Sequence, residues 1–153
     1  MALPRMKAIP IVLLVLLAPH LASATLGGDV SSVAADGTQM RATAAVQVRQ
    51  SGPYSVHQIT TARGESVREY VSAAGVVYAV AWNGQFTPDL RQLLGAHYDT
   101  MMQSTHRVTA GRARLTVTEP TLVVESIGHM RAYRGRAYLP DAIPASVSID
   151  SIQ

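Results

Sequence analysis

Three consecutive stretches, residues 54–61, 66–72 and 76–82, are rich in β-branched and aromatic residues. The links between them, Ala62-Arg63-Gly64-Glu65 and Ala73-Ala74-Gly75, have the length and glycine content of hairpin turns. The pattern predicts a three-stranded antiparallel meander. In its third strand, strict alternation puts Val76, Tyr78, Val80 and Trp82 on one face and Val77, Ala79 and Ala81 on the other, so both faces are expected to be buried.

The period then changes. Thr87-Pro88-Asp89-Leu90 is a helix start: Thr can cap free N–H groups, Pro suits the first helical position, and Asp complements the positive end of the dipole. Leu90, Leu93, Leu94, Tyr98 and Met101 follow at helical spacing, predicting one amphipathic helix over about residues 88–102. Gly95 inside it costs about 1 kcal/mol relative to Ala, which points to a close backbone contact there. Three more strands are expected at residues 115–119, 122–127 and 130–138, with turns at Pro120-Thr121 and Gly128-His129. The tail from Pro140 reads as extended, with pairing at a sheet edge.

The expected fold is α+β: an antiparallel sheet of about six strands in the order βββ-α-βββ, with one amphipathic helix packed on a face. Residues 53–153 form its single domain. Residues 25–52, rich in Ala, Ser, Gly and Thr, read as a poorly specified lead-in with a helix near residues 32–45. Residue-by-residue comparison finds no internal repeat.

Residues 1–24 carry a different pattern: Arg5 and Lys7, an apolar run from Ala8 to Ala18, then Ala22-Ser23-Ala24. This is the layout of a cleavable signal peptide, with cleavage expected between Ala24 and Thr25 and a periplasmic or secreted product. The apolar run is shorter than the roughly 20 residues a membrane-spanning helix needs. No later segment is long or apolar enough to span either.

Cleavage alters the charge balance. The whole chain has a formal charge of +3, but Arg5 and Lys7 leave with the signal, so the mature part has 11 arginines against 10 acidic residues. A domain of that balance lacks the footprint that nucleic-acid binding requires. The chain has no cysteine, which excludes disulfides, thiolate catalysis and Cys-ligated metals. The mature part has no lysine, which excludes Schiff-base chemistry.

The segments Arg68-Glu69-Tyr70-Val71, Ala81-Trp82-Asn83-Gly84, Pro88-Asp89-Leu90-Arg91-Gln92-Leu93-Leu94-Gly95, Gly128-His129-Met130-Arg131-Ala132-Tyr133 and Gly135-Arg136-Ala137-Tyr138-Leu139-Pro140 together resemble the domain of unknown function 2844 family of exported bacterial proteins. The resemblance spans about residues 25–153. Where the family pattern has a bulky aromatic before the Trp and Gly-Pro after it, this chain has Tyr78, four residues before Trp82, and Gly84-Gln85. The resemblance implies a signal-bearing proteobacterial protein and no mechanism, and it assigns no catalytic residue.

The histidines of the mature part, His57, His97, His106 and His129, show no H-x-x-x-H spacing, and His97 and Asp99 would point apart on a helix, so no metal or cofactor is expected. Acid–base chemistry could draw on Glu65, Glu69, Glu119 or Glu125 with a histidine. Glu69, which alternation puts on the face of Val67 and Val71, is an unusual carboxylate. Neither G-x-S-x-G nor S-x-x-K occurs, Ser126 before Gly128-His129 being a faint echo, and no phosphate-binding glycine motif is present.

The segment Arg131, Tyr133, Arg134, Arg136, Tyr138 interleaves cations and phenols behind His129, and guanidinium groups beside phenols suit carboxylate, phosphate or sugar contacts. Set against this is an outer sheet face whose arginines pair with glutamates. Trp82, near Phe86, either locks the helix to the sheet or marks a docking surface. The expected function is that of a non-enzymatic accessory protein binding an envelope protein or an anionic envelope component. The alternatives are a small exported hydrolase using Glu69 or His129 and a self-assembling structural subunit.

Overall fold

A computed structural model describes residues 26–110 and 114–153; the expected signal peptide lies outside them. In chain order the elements are α1 (Val33–Gln39), β1 (Gln47–Ser51), β2 (Tyr54–Thr60), β3 (Ser66–Ser72), β4 (Val77–Gly84), α2 (Leu90–Leu94), α3 (His97–Gln103), β5 (Arg107–Ala110), β6 (Arg114–Glu119), β7 (Leu122–His129) and β8 (Ala132–Tyr138). The strands form one antiparallel sheet in the order β1-β2-β3-β4-β8-β7-β6-β5. Two four-stranded meanders of equal connectivity therefore meet at a seam where the last strand of each, β4 and β8, pair.

The sheet has eight strands where about six were expected. The additional strands, β1 and β5, are the two edges, and they are short and almost wholly exposed, so the brief alternation they carry, Val46 and Val48 before and in β1 and Val108 and Ala110 in β5, is too slight to announce them. The single helix expected over residues 88–102 is instead α2 and α3. Gly95 has φ 50° and ψ −124°, outside the helical region, and it ends α2 as a C-cap whose N–H bonds the Arg91 carbonyl. The N-cap is Asp89, not Thr87: its carboxylate accepts from the N–H groups of Arg91 at 2.9 Å and Gln92 at 3.3 Å.

The lead-in packs onto the sheet. Gly27 donates to the Val77 carbonyl at 2.8 Å, Val77 returns a bond to the Gly28 carbonyl at 2.9 Å, and Leu26 and Val33 are buried. Its helix, α1, is shorter than residues 32–45. The tail is not an edge strand. Residues 140–153 include short 3-10 turns at Pro140–Ala142 and Ile149–Ser151, and their apolar side chains pack across one sheet face.

Each face of the sheet carries its own core. On the first, Ile59, Val67, Val71, Val80, Trp82, Val117, Leu122, Val124 and Ala137 meet the helices through Val33, Leu93, Leu94 and Met101. On the second, Tyr70, Tyr78, Ala79, Ala81, Val123 and Tyr138 meet the tail through Ala142, Ile143, Val147 and Ile152. A β-bulge in β4 alters the alternation expected there. Tyr70 pairs with Ala79 and Val71 with Val77, so Tyr78 is the extra residue. Val77 thus joins the core of Val80 and Trp82, while Tyr78 joins the tail side, where it meets Tyr54 edge-on at 6.2 Å between ring centroids.

The seam is closed by an aromatic ring over glycine. Trp82 pairs with Gly135, and a Cβ on Gly135 would lie 2.3 Å from Trp82 Cζ2 and 2.6 Å from the Glu125 carbonyl oxygen. Tyr133 covers its partner Gly128 in the same way. In both pairs the glycine leaves the space that a large cross-strand ring occupies.

Candidate functional site: an arginine groove beside the tail

Strand alternation decides which side chains share the tail-side face. Arg68 of β3 pairs with Ala81, Ala81 with Arg136, Arg136 with Glu125, and Glu125 with Thr116, making one cross-strand row. In the next row Asn83 pairs with Arg134, Arg134 with Ile127, and Ile127 with Arg114. Four arginines from β3, β6 and β8 therefore project from one side of the sheet. They line a groove of about 650 Å³ together with Asn83, Thr116, Glu125, Ile127, Ile152 and Gln153.

The four are not equivalent. Arg136 is used internally: its Nε donates to Glu125 Oε2 at 2.7 Å, and Nη1 donates to the carbonyls of Ile149 at 2.9 Å and Ile152 at 3.3 Å. It is the clamp that holds the tail, assisted by the Tyr70 hydroxyl, which donates to the Gln153 carbonyl and accepts from its N–H, both at 3.0 Å. Arg134 and Arg114 are exposed and Arg68 is half-buried. Among the described residues none of these three has an acidic partner, and the buried Nε of Arg68 has no hydrogen-bond acceptor. Glu125, the one carboxylate of the groove lining among the described residues, is committed to Arg136, which leaves three guanidinium groups for a ligand.

A second groove continues along β8 towards the β7–β8 turn and shares Asn83, Ile127 and Arg134 with the first; His129, Arg131 and Tyr133 also line it. Arg131 sits at the turn with φ 61°, a left-handed conformation that costs a non-glycine residue of order 1 kcal/mol. Of the residues singled out from sequence, Arg134, Arg131 and His129 thus share the groove system as accessible side chains, and Arg136 shares it as a structural clamp. Trp82 and Tyr138 are buried in opposite cores, and Tyr133 lies over Gly128 on the helix side, so their rings build the sheet. Arg68 and Arg114 were missed. Their signal was present as the parity of Arg68 with Tyr70 and of Arg114 with Thr116, but it acquires meaning only once the strand order across the seam is known.

The carboxylates divide sharply. Glu69 is 1% exposed and Asp36, on α1, is 0% exposed, both in the helix-side core. Burial first, then the charge and hydrogen bond of Asp36, push the Glu69 carboxyl up to about 9. Glu69 is therefore protonated at neutral pH, and it is shut off from any substrate. His129 lies in a groove whose other lining residues, among those described, include Arg131 and Arg134 and no carboxylate. Ser104, His106 and Glu119 also come together, but both Ser104 Oγ and His106 Nδ1 bond the same oxygen, Glu119 Oε1. In a nucleophilic triad the histidine stands between hydroxyl and carboxylate; here the carboxylate is in the middle, and the cluster ties the α3–β5 turn to β6. Both hydrogen bonds hold the Glu119 carboxyl below its usual range. Among the described residues no three His, Asp or Glu side chains converge as metal ligands.

No curated protein and no solved structure matches the chain. A family match does cover residues 22–152, and on it the chain belongs to the family described as Protein of unknown function (DUF2844).

Proposed function

We propose that this chain is an exported, non-enzymatic accessory protein that binds an anionic component of the bacterial envelope on the tail-side face of its sheet. The observation that carries the reading is the set of three guanidinium groups, Arg68, Arg114 and Arg134, lining one groove without acidic partners. Arginine presents a planar fork of donors that matches carboxylate and phosphate oxygens, and its cost of desolvation is lower than that of an ammonium. Export rests on the basic, apolar and Ala22-Ser23-Ala24 pattern of residues 1–24.

The test is co-sedimentation of the mature protein with an envelope fraction of its own host at low and high salt. Wild type is expected to sediment at low salt and to be released at high salt, with the Arg134→Ala variant failing to sediment at either. Equal sedimentation of the two proteins would refute the reading. Mass spectrometry of the exported product checks the address, the expected N-terminus being Thr25.

A second reading, self-assembly, is favoured by the two open edges. Val48 on β1 and Val108 on β5 are 56% and 60% exposed, and both strands leave backbone donors and acceptors unpaired on their outer sides. Light scattering across a concentration series separates the two, since a rise in mass with concentration that is unaffected by Arg134→Ala belongs to the edges.

A further inference from the structure

The spacing of the three arginines says more than their charge. Arg134 and Arg114 stand in one cross-strand row with Ile127 between them, so their backbones are about 10 Å apart and both guanidinium groups can close on one anionic group over Ile127. Arg68 is separated from Arg114 by β4, β8 and β7, a lateral distance of about 19 Å. The Arg136–Glu125 ion pair occupies the row between Arg68 and the β6 side of the groove. An anion seated over Ile127 lies three strand spacings, about 14 Å, from the backbone of Arg68, farther than an arginine side chain extends, so a ligand that closes Arg134 on Arg114 and also uses Arg68 must carry a second anionic group.

Beside the cations and the Arg136–Glu125 pair the lining is partly apolar, Ile127 and Ile152, and partly neutral and polar. Asn83, Thr116 and Gln153, whose amide nitrogen donates to the Asp150 carbonyl at 3.0 Å, add amide and hydroxyl groups that pair with hydroxyls as readily as with anions. A polyphosphate chain has charge at every unit and no hydroxyl donors to offer these side chains. An acidic sugar chain has carboxylates separated by rings that bear hydroxyls.

We propose that the groove takes a linear acidic oligosaccharide, with one carboxylate seated between Arg134 and Arg114 and another at Arg68. This rests on the reading of the tail-side face as the binding surface and specifies the ligand for it.

The experiment is calorimetric titration of the mature protein with galacturonic acid, with an oligogalacturonate, and with inorganic polyphosphate of matched charge. The oligogalacturonate is expected to bind at least tenfold more tightly than the monomer. Arg68→Gln should remove about that tenfold from oligomer binding, roughly one charge-assisted contact. Arg114→Ala, at an exposed position that does not endanger folding, should weaken both sugars. Three outcomes overturn the proposal: no sugar binding, oligomer binding indifferent to Arg68→Gln in a protein of unchanged melting temperature, or polyphosphate binding as tightly as the oligogalacturonate. Envelope co-sedimentation that survives alongside any of these would leave the binding surface in place and remove the acidic sugar from it.

Discussion

Replacing Glu69 by Gln removes an ionisable group from the helix-side core while keeping its volume and its ability to donate a hydrogen bond to Asp36. In the folded chain the Glu69 carboxyl is held up to about 9, against 4.5 for the ordinary group. Below about pH 4.5 the folded and unfolded chains both hold the proton, and this site contributes its full share of stability. Between pH 4.5 and 9 the unfolded chain has released the proton and the folded chain has not, so stability falls by roughly 1.4 kcal/mol for each pH unit; above 9 it levels off. By pH 7.5 the wild type should have lost about 4 kcal/mol through this one group, a large part of the 5–15 kcal/mol that holds a typical domain together. Gln has no proton to lose. Glu69→Gln should therefore match wild type within about 1 kcal/mol at pH 5 and exceed it by several kcal/mol at pH 8.5. Urea unfolding at four pH values between 5 and 9, read by fluorescence of the single tryptophan, Trp82, gives the comparison directly. Parallel stability profiles for the two proteins would refute the reasoning, since they would mean that Glu69 titrates alike in the folded and unfolded chains.

Other consequences are as direct. Gly135→Ala puts a methyl group within 2.3 Å of the Trp82 ring and 2.6 Å of a backbone carbonyl; it should cost about 3 kcal/mol or more, seen as a fall in melting temperature, and an unchanged melting temperature would show that the seam can open to admit it. Arg136→Ala removes the three bonds that hold Glu125 and the tail, so amide exchange should accelerate across residues 147–153, with about 2 kcal/mol lost overall. Uniform protection in that variant would mean that Ile152 and Tyr70 alone secure the tail. Asp89→Ala should cost about 1 kcal/mol by uncapping α2, whereas Thr87→Ala should be nearly neutral; the reverse ranking in thermal melts would return the cap to Thr87.

Legibility in the sequence followed burial. The central strands β2, β3, β4, β6, β7 and β8 were readable because packing against helices or tail imposes β-branched and aromatic residues on them. The edges β1 and β5 were not, because a strand exposed on its outer side has no core to record. The capping region of α2 is visible in the sequence, but the spacing places Gly95 within one helix as a packing glycine, since spacing alone cannot tell a tolerated glycine from one with a non-helical φ. The bulge at Tyr78 was hidden for a related reason: alternation counts residues, and one extra residue reverses the assignment of every side chain on one side of it. The site was half legible. Arg134 and Arg136 could be seen to share a face, but that Arg136 is committed to the tail depends on Ile149 and Ile152, and that Arg68 and Arg114 join Arg134 depends on β4 lying against β8.

That seam has consequences for how the molecule is made. Within each meander every strand pairs with its neighbour in sequence, and such hairpins close within microseconds. Trp82 and Gly135 are about a third of the chain apart, so joining the halves carries the loop-closure entropy of everything between. The joining step is expected to set the refolding rate, so alterations at Ala81 or Ala137 should slow it, while alterations at the outer strands should chiefly hasten unfolding. Until it is complete each molecule exposes two bare strand margins that are complementary to one another. In a crowded refolding solution the β4 margin of one molecule can meet the β8 margin of the next, and the misfolded product expected of this architecture is a dimer that has exchanged halves.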